Sequence, residues 1–431
     1  MTSPTQQPAR SSQLSEDMFA PALERKAHTL FDAITVISSC CKTSYEERSL
    51  YAVYHEAGLL EDYLDLHGAA SNKRFHLIRE DVSGIKWIAQ ALSCLSLLKD
   101  GPNPYPSADT DWSEQQLTNH VATSISRLNA YLDALFSQLS ASWLEADLAI
   151  VSPKATEAEI HPPLPTLPSN LLGGEDEDSI GGDNSIASRY LSRFMRLFNS
   201  WDVAATTGLS DGSSAGVFMK KYCTEAIARS FQSRVHNLQS DYDSHLRNTP
   251  HELGIPQLRK VRGAVSECLH LLEAVTALTH LYERHHRHPH LSKVLPWPEL
   301  VDVLANHLIL SAYKSLGSCM PLAQELLNGL TVSSSTEVLL PDGIEMHARP
   351  LSMIANVVKH HGLDVEIECA GRRANAASFM AMLVLVGSHP GTRTYYFHGD
   401  RAALADIEQL FALGLGEKGL GAVTEAFPFL K

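Results

Sequence analysis

The sequence predicts a multi-domain chain: an all-α helical bundle region followed by a C-terminal α+β sandwich of about 95 residues. Three observations carry that prediction. Apolar residues recur at helical spacing through most of residues 15–330. From about residue 337 the elements shorten and a period of two appears. Residues 151–184 shift in composition toward Pro, Gly and acid, dividing the helical runs into two sets.

Bulk composition fits a globular protein and excludes several classes. Of 431 residues, 44% are hydrophobic, so wholesale disorder is ruled out. Acidic residues outnumber basic ones 49 to 35, a formal charge of -14, whereas an electrostatic nucleic-acid binder needs a basic face. No apolar stretch approaches the roughly 18 residues of a membrane span. The polar N-terminus has no apolar core of a secretory signal, so a cytoplasmic protein without a membrane partner is expected. The seven cysteines, Cys40, Cys41, Cys94, Cys223, Cys268, Cys319 and Cys369, include no CxxC pair, and most sit in apolar runs. Free thiols in a reducing compartment are expected, with no disulfide framework and no structural zinc.

The elements follow in order. Residues 1–14 read as a disordered tail. Phe19, Leu23, Ala27, Leu30, Ile34 and Ile37 place a helix over about 15–42. Leu50, Val53, Leu60 and Leu64 place a second over about 45–66, ended by Gly68, Ser71 and Asn72. A third covers about 73–98, a Pro- and Gly-rich loop follows, and a fourth covers about 114–149. These four form an antiparallel bundle over 15–150. Residues 151–184 cannot bury enough apolar surface to order, and read as a flexible acidic linker. Helical runs return at about 185–201, 217–246, 256–287 and 298–330, either completing the first bundle or forming a second.

After residue 336 the reading is strand, helix, strand, short strand, helix, strand, helix. Val365, Ile367 and Cys369 alternate with Glu366 and Glu368 as a half-buried strand. CAGRR is a turn. TRTYYF at 392–397 is another strand, and SFMAMLVL is a short helix or apolar strand. PLSMIANVVKHHG at 350–362 is a helix stopped by Gly362, and 401–414 is the last helix.

MHARP at 346–350 carries the clearest chemistry. Pro350 suits the first turn of a helix, which puts His347 just before it. An imidazole there faces unpaired backbone N–H groups, including those of Ala348 and Arg349, and the positive end of the helix dipole. Arg349 adds a cationic fork. A phosphoryl group on His347 would meet stabilising partners; the plain alternative is a surface histidine at a helix start.

Residues 337–417 resemble HPr, the histidine phosphocarrier of the phosphoenolpyruvate sugar phosphotransferase system. The family reads G-[LI]-H-A-R-P-A, then N-x-K-S-[IL]-M. Here stand EMHARPL and NAASFM, with Asn375, Ser378 and Met380 on the second motif and 31 residues between His347 and Ser378. The resemblance implies an HPr-like domain over 337–431, an open-faced sandwich with an antiparallel sheet and helices on one face. It implies His347 as the phosphorylated histidine, Arg349 as its companion, and Ser378 as the serine that HPr kinase modifies in some bacteria. Physically, Ser378 reads as a helix N-cap, where a phosphate is tolerated by the dipole.

The sequence departs from the family at four places, one of them the loop LVGSHPG at 385–391, a residue longer than the family's. Glu345 replaces a glycine, a carboxylate expected to repel a phosphate on His347. Met346 replaces Leu or Ile, and Ala377 replaces a lysine.

Two further segments bear titratable groups. HHRHPH at 285–290 reads as a solvated helix end or, less simply, a metal site. HEAGLLEDYLDLHG at 55–68 reads as a solvated acidic face. No nucleotide-cradling glycine motif is present.

The first expectation is therefore a phosphocarrier or regulatory protein without cofactor or metal. It would take a phosphoryl group from an enzyme I-like donor, and its helical region would bind a further protein partner. The alternatives are a non-phosphorylated adaptor of the same fold and, behind it, a helical metalloenzyme.

Overall fold

The computed structural model describes residues 14–39, 45–98, 114–150, 185–201, 215–331, 333–417 and 419–430. The expected tail over 1–13, Cys40 and Cys41, the loop at 100–113 and the linker at 151–184 lie outside these residues.

Helical periodicity in the sequence becomes one buried stripe per helix. In α1 (Glu16–Ser39), Phe19, Leu23, Ala27, Leu30 and Ile37 fall on one face and are buried. In α2 (Glu47–Leu66) the stripe is Leu50, Val53, Ala57, Leu60 and Leu64. α3 (His76–Ser96) differs, burying Ile78, Val82, Ile85 and Ile88 together with Asp81, Ser83 and Gly84. A helix buried on most sides lies at the centre of its bundle, and α3 packs on α2, on α4 (Glu114–Glu145) and on a later helix over Leu258–His285.

The second set is α5 (Ser185–Asn199), α6 (Ala215–Tyr222), α7 (Glu225–His245), α8 (Leu258–His285), α9 (Leu310–Ser318) and α10 (Met320–Leu330). It shares one hydrophobic core with the first set, because α8 lies against α3, so it completes the first bundle. Two runs expected as single helices are divided. The run at 217–246 breaks at Cys223, where the Thr224 hydroxyl accepts the N–H of Ile227 and starts α7. The run at 298–330 becomes a helical turn over Trp297–Asp302, a π-helical turn over Val303–Ile309, then α9 and α10. Pro321 stands in the first turn of α10, where its missing N–H costs nothing. Among the described residues no helix is long and apolar enough to cross a membrane.

The C-terminal unit has its own core and the expected order: β1 (Ser333–Leu339), α11 (Ala348–His361), β2 (Glu366–Cys369), β3 (Arg372–Asn375), α12 (Phe379–Gly387), β4 (Thr394–Asp400), α13 (Arg401–Ala412). The segment open between helix and strand is helical. The sheet is antiparallel throughout, ordered β1-β4-β2-β3. Ala370 and Gly371 close the β2–β3 hairpin with φ of 50° and 73°, a two-residue turn matched to strand twist. Ile367, Cys369, Tyr395 and Phe397 point into the core beneath the helices. Glu366, Glu368, Arg373 and His398 form ion pairs on the other side of the sheet. The chain is thus a helical region followed by an α+β unit. Beyond 414, where no element was expected, a short helix covers Gly421–Ala426 and Phe427 is buried.

Candidate functional site

His347 is the N-cap of α11, with extended backbone at φ -134° and ψ -166°. Pro350 is buried in the first turn, as its position suggested. The Arg349 N–H donates to His347 Nδ1 at 3.4 Å, so the imidazole itself engages a backbone donor that was expected to be open. A ring nitrogen that accepts carries a lone pair, which puts the proton of the neutral imidazole on Nε2. Nε2 lies 3.4 Å from Glu417 Oε1, and Arg349 Nη1 lies 3.7 Å from the same oxygen. The His347 and Arg349 side chains are 51% and 60% exposed, open to an incoming protein.

Glu417 gets there through a glycine turn. Gly414, Leu415 and Gly416 all take left-handed φ values of 74°, 54° and 77°. A Cβ on Gly416 would lie 2.6 Å from Met353 Cε, so the turn rests directly on α11. That contact brings the next residue, Glu417, over the start of the same helix. Its Oε1 is shielded from solvent and accepts no hydrogen bond among the described residues, leaving the His347 ring and the Arg349 guanidinium as its neighbours.

A cavity of about 560 Å³ opens beside the imidazole, lined by Glu345, His347, Leu383, Gly387, His389 and Arg393 among others. Arg393 is tethered to Asp342 at 2.7 Å and to the Leu340 carbonyl at 2.8 Å. The His389 Nδ1–H donates to the Leu385 carbonyl at 2.9 Å. Ala348 also lines the cavity. On α12 the apolar side chains of Met380, Leu383 and Val384 are exposed. The carboxylate in contact with His347 is Glu417; Glu345 lines the cavity instead.

Ser378 caps α12, its Oγ accepting the Ala381 N–H at 3.3 Å, while Asn375 Oδ1 accepts the Ala377 N–H at 2.7 Å. The His347 cavity is lined from the far end of α12, by Leu383, Val386 and Gly387. At 1.5 Å per residue these positions lie about 7 to 13 Å along the helix from Ser378, which does not line the cavity.

Two sequence readings in the helical region need correction. The histidine-rich segment is not a solvated helix end. His285 and His290 are buried, and each meets a carboxylate of α3, the partly buried Glu80 and the fully buried Asp81. His285 Nδ1 meets Glu80 Oε2 at 2.7 Å and its Nε2 meets Ser83 Oγ at 3.1 Å. His290 Nε2 meets Asp81 Oδ1 at 2.8 Å. The acidic segment at 55–68 is not wholly solvated either. Glu61 is buried against Lys86 at 2.7 Å, and Asp65 pairs with Arg79 at 2.8 Å.

This cluster perturbs its members in opposite directions. Burial raises Asp81, and hydrogen bonds from Ser142, Gln138 and His290 only partly offset it. Burial would raise Glu80 as well, but the hydrogen bond and charge of His285 outweigh it and hold Glu80 below the usual carboxylate range. Ser83, His285 and Glu80 are ordered like a serine relay, yet Ser83 is fully buried and unreachable by substrate. Both His285 ring nitrogens are already engaged, which leaves none to bind a metal.

Sequence reasoning missed Glu417. The signal available was ALGLGE at 412–417, closely spaced glycines after the last helix, which marks a tight return of the chain. No protein-family model, no curated protein and no solved structure matches this chain.

Proposed function

We propose that the protein is a phosphoryl carrier or regulator of HPr type rather than a metabolite-converting enzyme. His347 accepts the phosphoryl group from an enzyme I-like donor, and the helical region is the partner-binding output. The carrying observation is the setting of the imidazole: Nδ1 faces the helix start and Nε2 faces Glu417.

In the transfer, the Nδ1 lone pair forms the N–P bond as the donor's bond to phosphorus breaks, and the donor keeps that electron pair. The phosphoryl oxygens then take over the Arg349 N–H and the positive end of α11. The ring proton stays on Nε2, where Glu417 offsets the positive charge that builds on the imidazole. Arg349 faces the phosphoryl group with its guanidinium fork. The exposed Met380, Leu383 and Val384 give the donor an apolar surface to dock on. In this reading Ser378 is the modification site of an HPr kinase, and phosphate there alters the same α12 surface.

A second reading, a non-phosphorylated adaptor of the same fold, is favoured by the two carboxylates at the site, Glu345 and Glu417. The deciding experiment is phosphate incorporation from phosphoenolpyruvate with enzyme I, comparing wild type with His347→Ala. The carrier reading requires an acid-labile, base-stable label that the variant loses. Absence of label in wild type, with the donor active on an ordinary HPr, moves the adaptor reading to first place.

A further inference from the structure

A second cationic site lies away from His347, on the helical region. α5 carries Arg189, Arg193 and Arg196 at i, i+4 and i+7, which aligns them on one face. α7 packs against α5 and brings Arg234 and Asn237 to the same side. An open cavity of about 270 Å³ lies between them, lined by Arg193, Arg196, Arg234, Asn237, Leu197 and Leu238. Both leucines are buried and form an apolar floor. Among the described residues the lining holds three guanidiniums and no carboxylate, in a chain whose formal charge is -14.

The partners of these arginines are unequal. Arg193 is paired with Asp241 at 2.7 Å. Arg234 is held by neutral groups: it donates to Ser200 Oγ at 2.5 Å and lies over the Phe231 ring at 5.0 Å. Arg196 makes no ion pair within 4.0 Å among the described residues. Its Nη2 packs at Gly362, 2.6 Å from where a Cβ would stand. Partial burial, then the charge of Arg193, hold Arg196 below the ordinary arginine value, against the attraction of Asp364. Arg234 is therefore fixed in place and Arg196 crowded by a like charge, with neither in contact with a compensating anion among the described residues.

We propose that this cavity binds a small phosphorylated metabolite, a phosphomonoester with a carbon skeleton of about three to six carbons. Guanidinium forks match the oxygens of a phosphate, and positioned forks lose little freedom on binding. The cavity is just below the roughly 300–1,000 Å³ of drug-sized pockets, which suits a compact metabolite and excludes a dinucleotide. Asn237 offers an amide to a hydroxyl, and the leucine floor takes the carbon skeleton. The site stands independently of the reading of His347, since it uses no residue of the C-terminal motif.

Calorimetric titration of the full chain tests it, with glycerol 3-phosphate, ribose 5-phosphate and inorganic phosphate as probes and glycerol as the uncharged control. The expected result is saturable binding of at least one phosphomonoester, none of glycerol, and weaker binding as salt rises. Arg196→Gln and Arg234→Gln should each weaken it about tenfold or more. Asn237→Asp keeps every arginine and adds a carboxylate at an exposed position, so it should also abolish binding if the arginine variants fail to fold. His347→Ala should bind like wild type. Absence of saturable binding up to about 10 mM overturns the proposal. So does equal binding by wild type, the arginine variants and Asn237→Asp, or loss of binding in His347→Ala alone. A poly-glutamate peptide that binds while all phosphomonoesters fail overturns it in favour of an acidic protein partner.

Discussion

Glu417 and His347 are 70 residues apart in sequence, yet their Oε1 and Nε2 atoms stand 3.4 Å apart at the start of α11. The contact fixes which face of the imidazole is turned outward. It also makes the end of the C-terminal unit part of the histidine's setting.

If His347 carries a phosphoryl group as proposed, removing that carboxylate should slow transfer without unfolding the protein. Glu417 acts on the ring by charge rather than through a hydrogen bond, and an ion pair at a half-exposed site contributes about 0.2–1 kcal/mol, which corresponds to a rate loss of roughly one and a half- to fivefold for Glu417→Ala. Glu417→Gln should lose as much, because it removes the same charge. Rates of phosphate incorporation from phosphoenolpyruvate, with thermal melts alongside, check this. Wild-type rates in Glu417→Ala would remove the carboxylate from the mechanism.

The turn that delivers Glu417 should be sensitive to a single methyl group. Gly416 has φ of 77° and would place a Cβ 2.6 Å from Met353 Cε. Gly416→Ala should cost about 1–2 kcal/mol from the left-handed backbone alone. Because Met353 can shift, Gly416→Ala combined with Met353→Ala should recover the contact part and leave the backbone part. Urea unfolding of the three variants separates the two contributions.

Asp81 is the most exacting polar residue of the helical core. It is fully buried and accepts from Gln138 at 2.7 Å and Ser142 at 2.6 Å, beside His290 at 2.8 Å. Asp81→Ala leaves these partners unsatisfied and should destabilise the bundle by about 3–5 kcal/mol. Asp81→Asn keeps an acceptor for Gln138 and should cost less. Denaturant midpoints at constant slope provide the comparison.

The helical region should weaken in mild acid. His120, His288 and His307 are all held below the usual histidine value, each chiefly by burial; His307 is lowered further by His120, which lies 4.9 Å away ring to ring. A lowered histidine resists protonation in the folded state, so the unfolded chain binds more protons and stability rises with pH. The contribution is complete above about pH 6.5, the unfolded value, and is lost as pH falls through the folded values. Thermal midpoints between pH 7.5 and 5 should therefore decline, and His307→Asn should flatten the decline. An unchanged slope in that variant would assign the acid sensitivity to other groups.

Much of this architecture is written in local pattern. The stripe of α1, the alternation of Val365, Ile367 and Cys369, Gly362 as a helix stop and Ser378 as a cap are properties of a few neighbouring residues, and each is legible before folding. The position of His347 at a helix start is equally local, because Pro350 sets it. What escapes is long range. His285 looks like a charged residue at a helix end until Glu80, 205 positions away, accepts its ring N–H. Glu417 acquires meaning only when Gly416 meets Met353 on another helix. The apolar run SFMAMLVL has no amphipathic period, and its helix is settled by the Ser378 cap and by packing on α11.

Three peptide links join Leu330, the end of α10, to Ser333, the start of β1. Fully extended, that tether reaches about 11 Å. A histidine on a long arm can call on several stations in turn, but one on so short a leash receives visitors. On the proposed carrier reading, cargo exchange then runs at the pace of encounters between whole molecules, and the acidic body becomes a filter on who arrives. Donors and acceptors with basic faces are drawn in, acidic ones are slowed, and added salt narrows the difference.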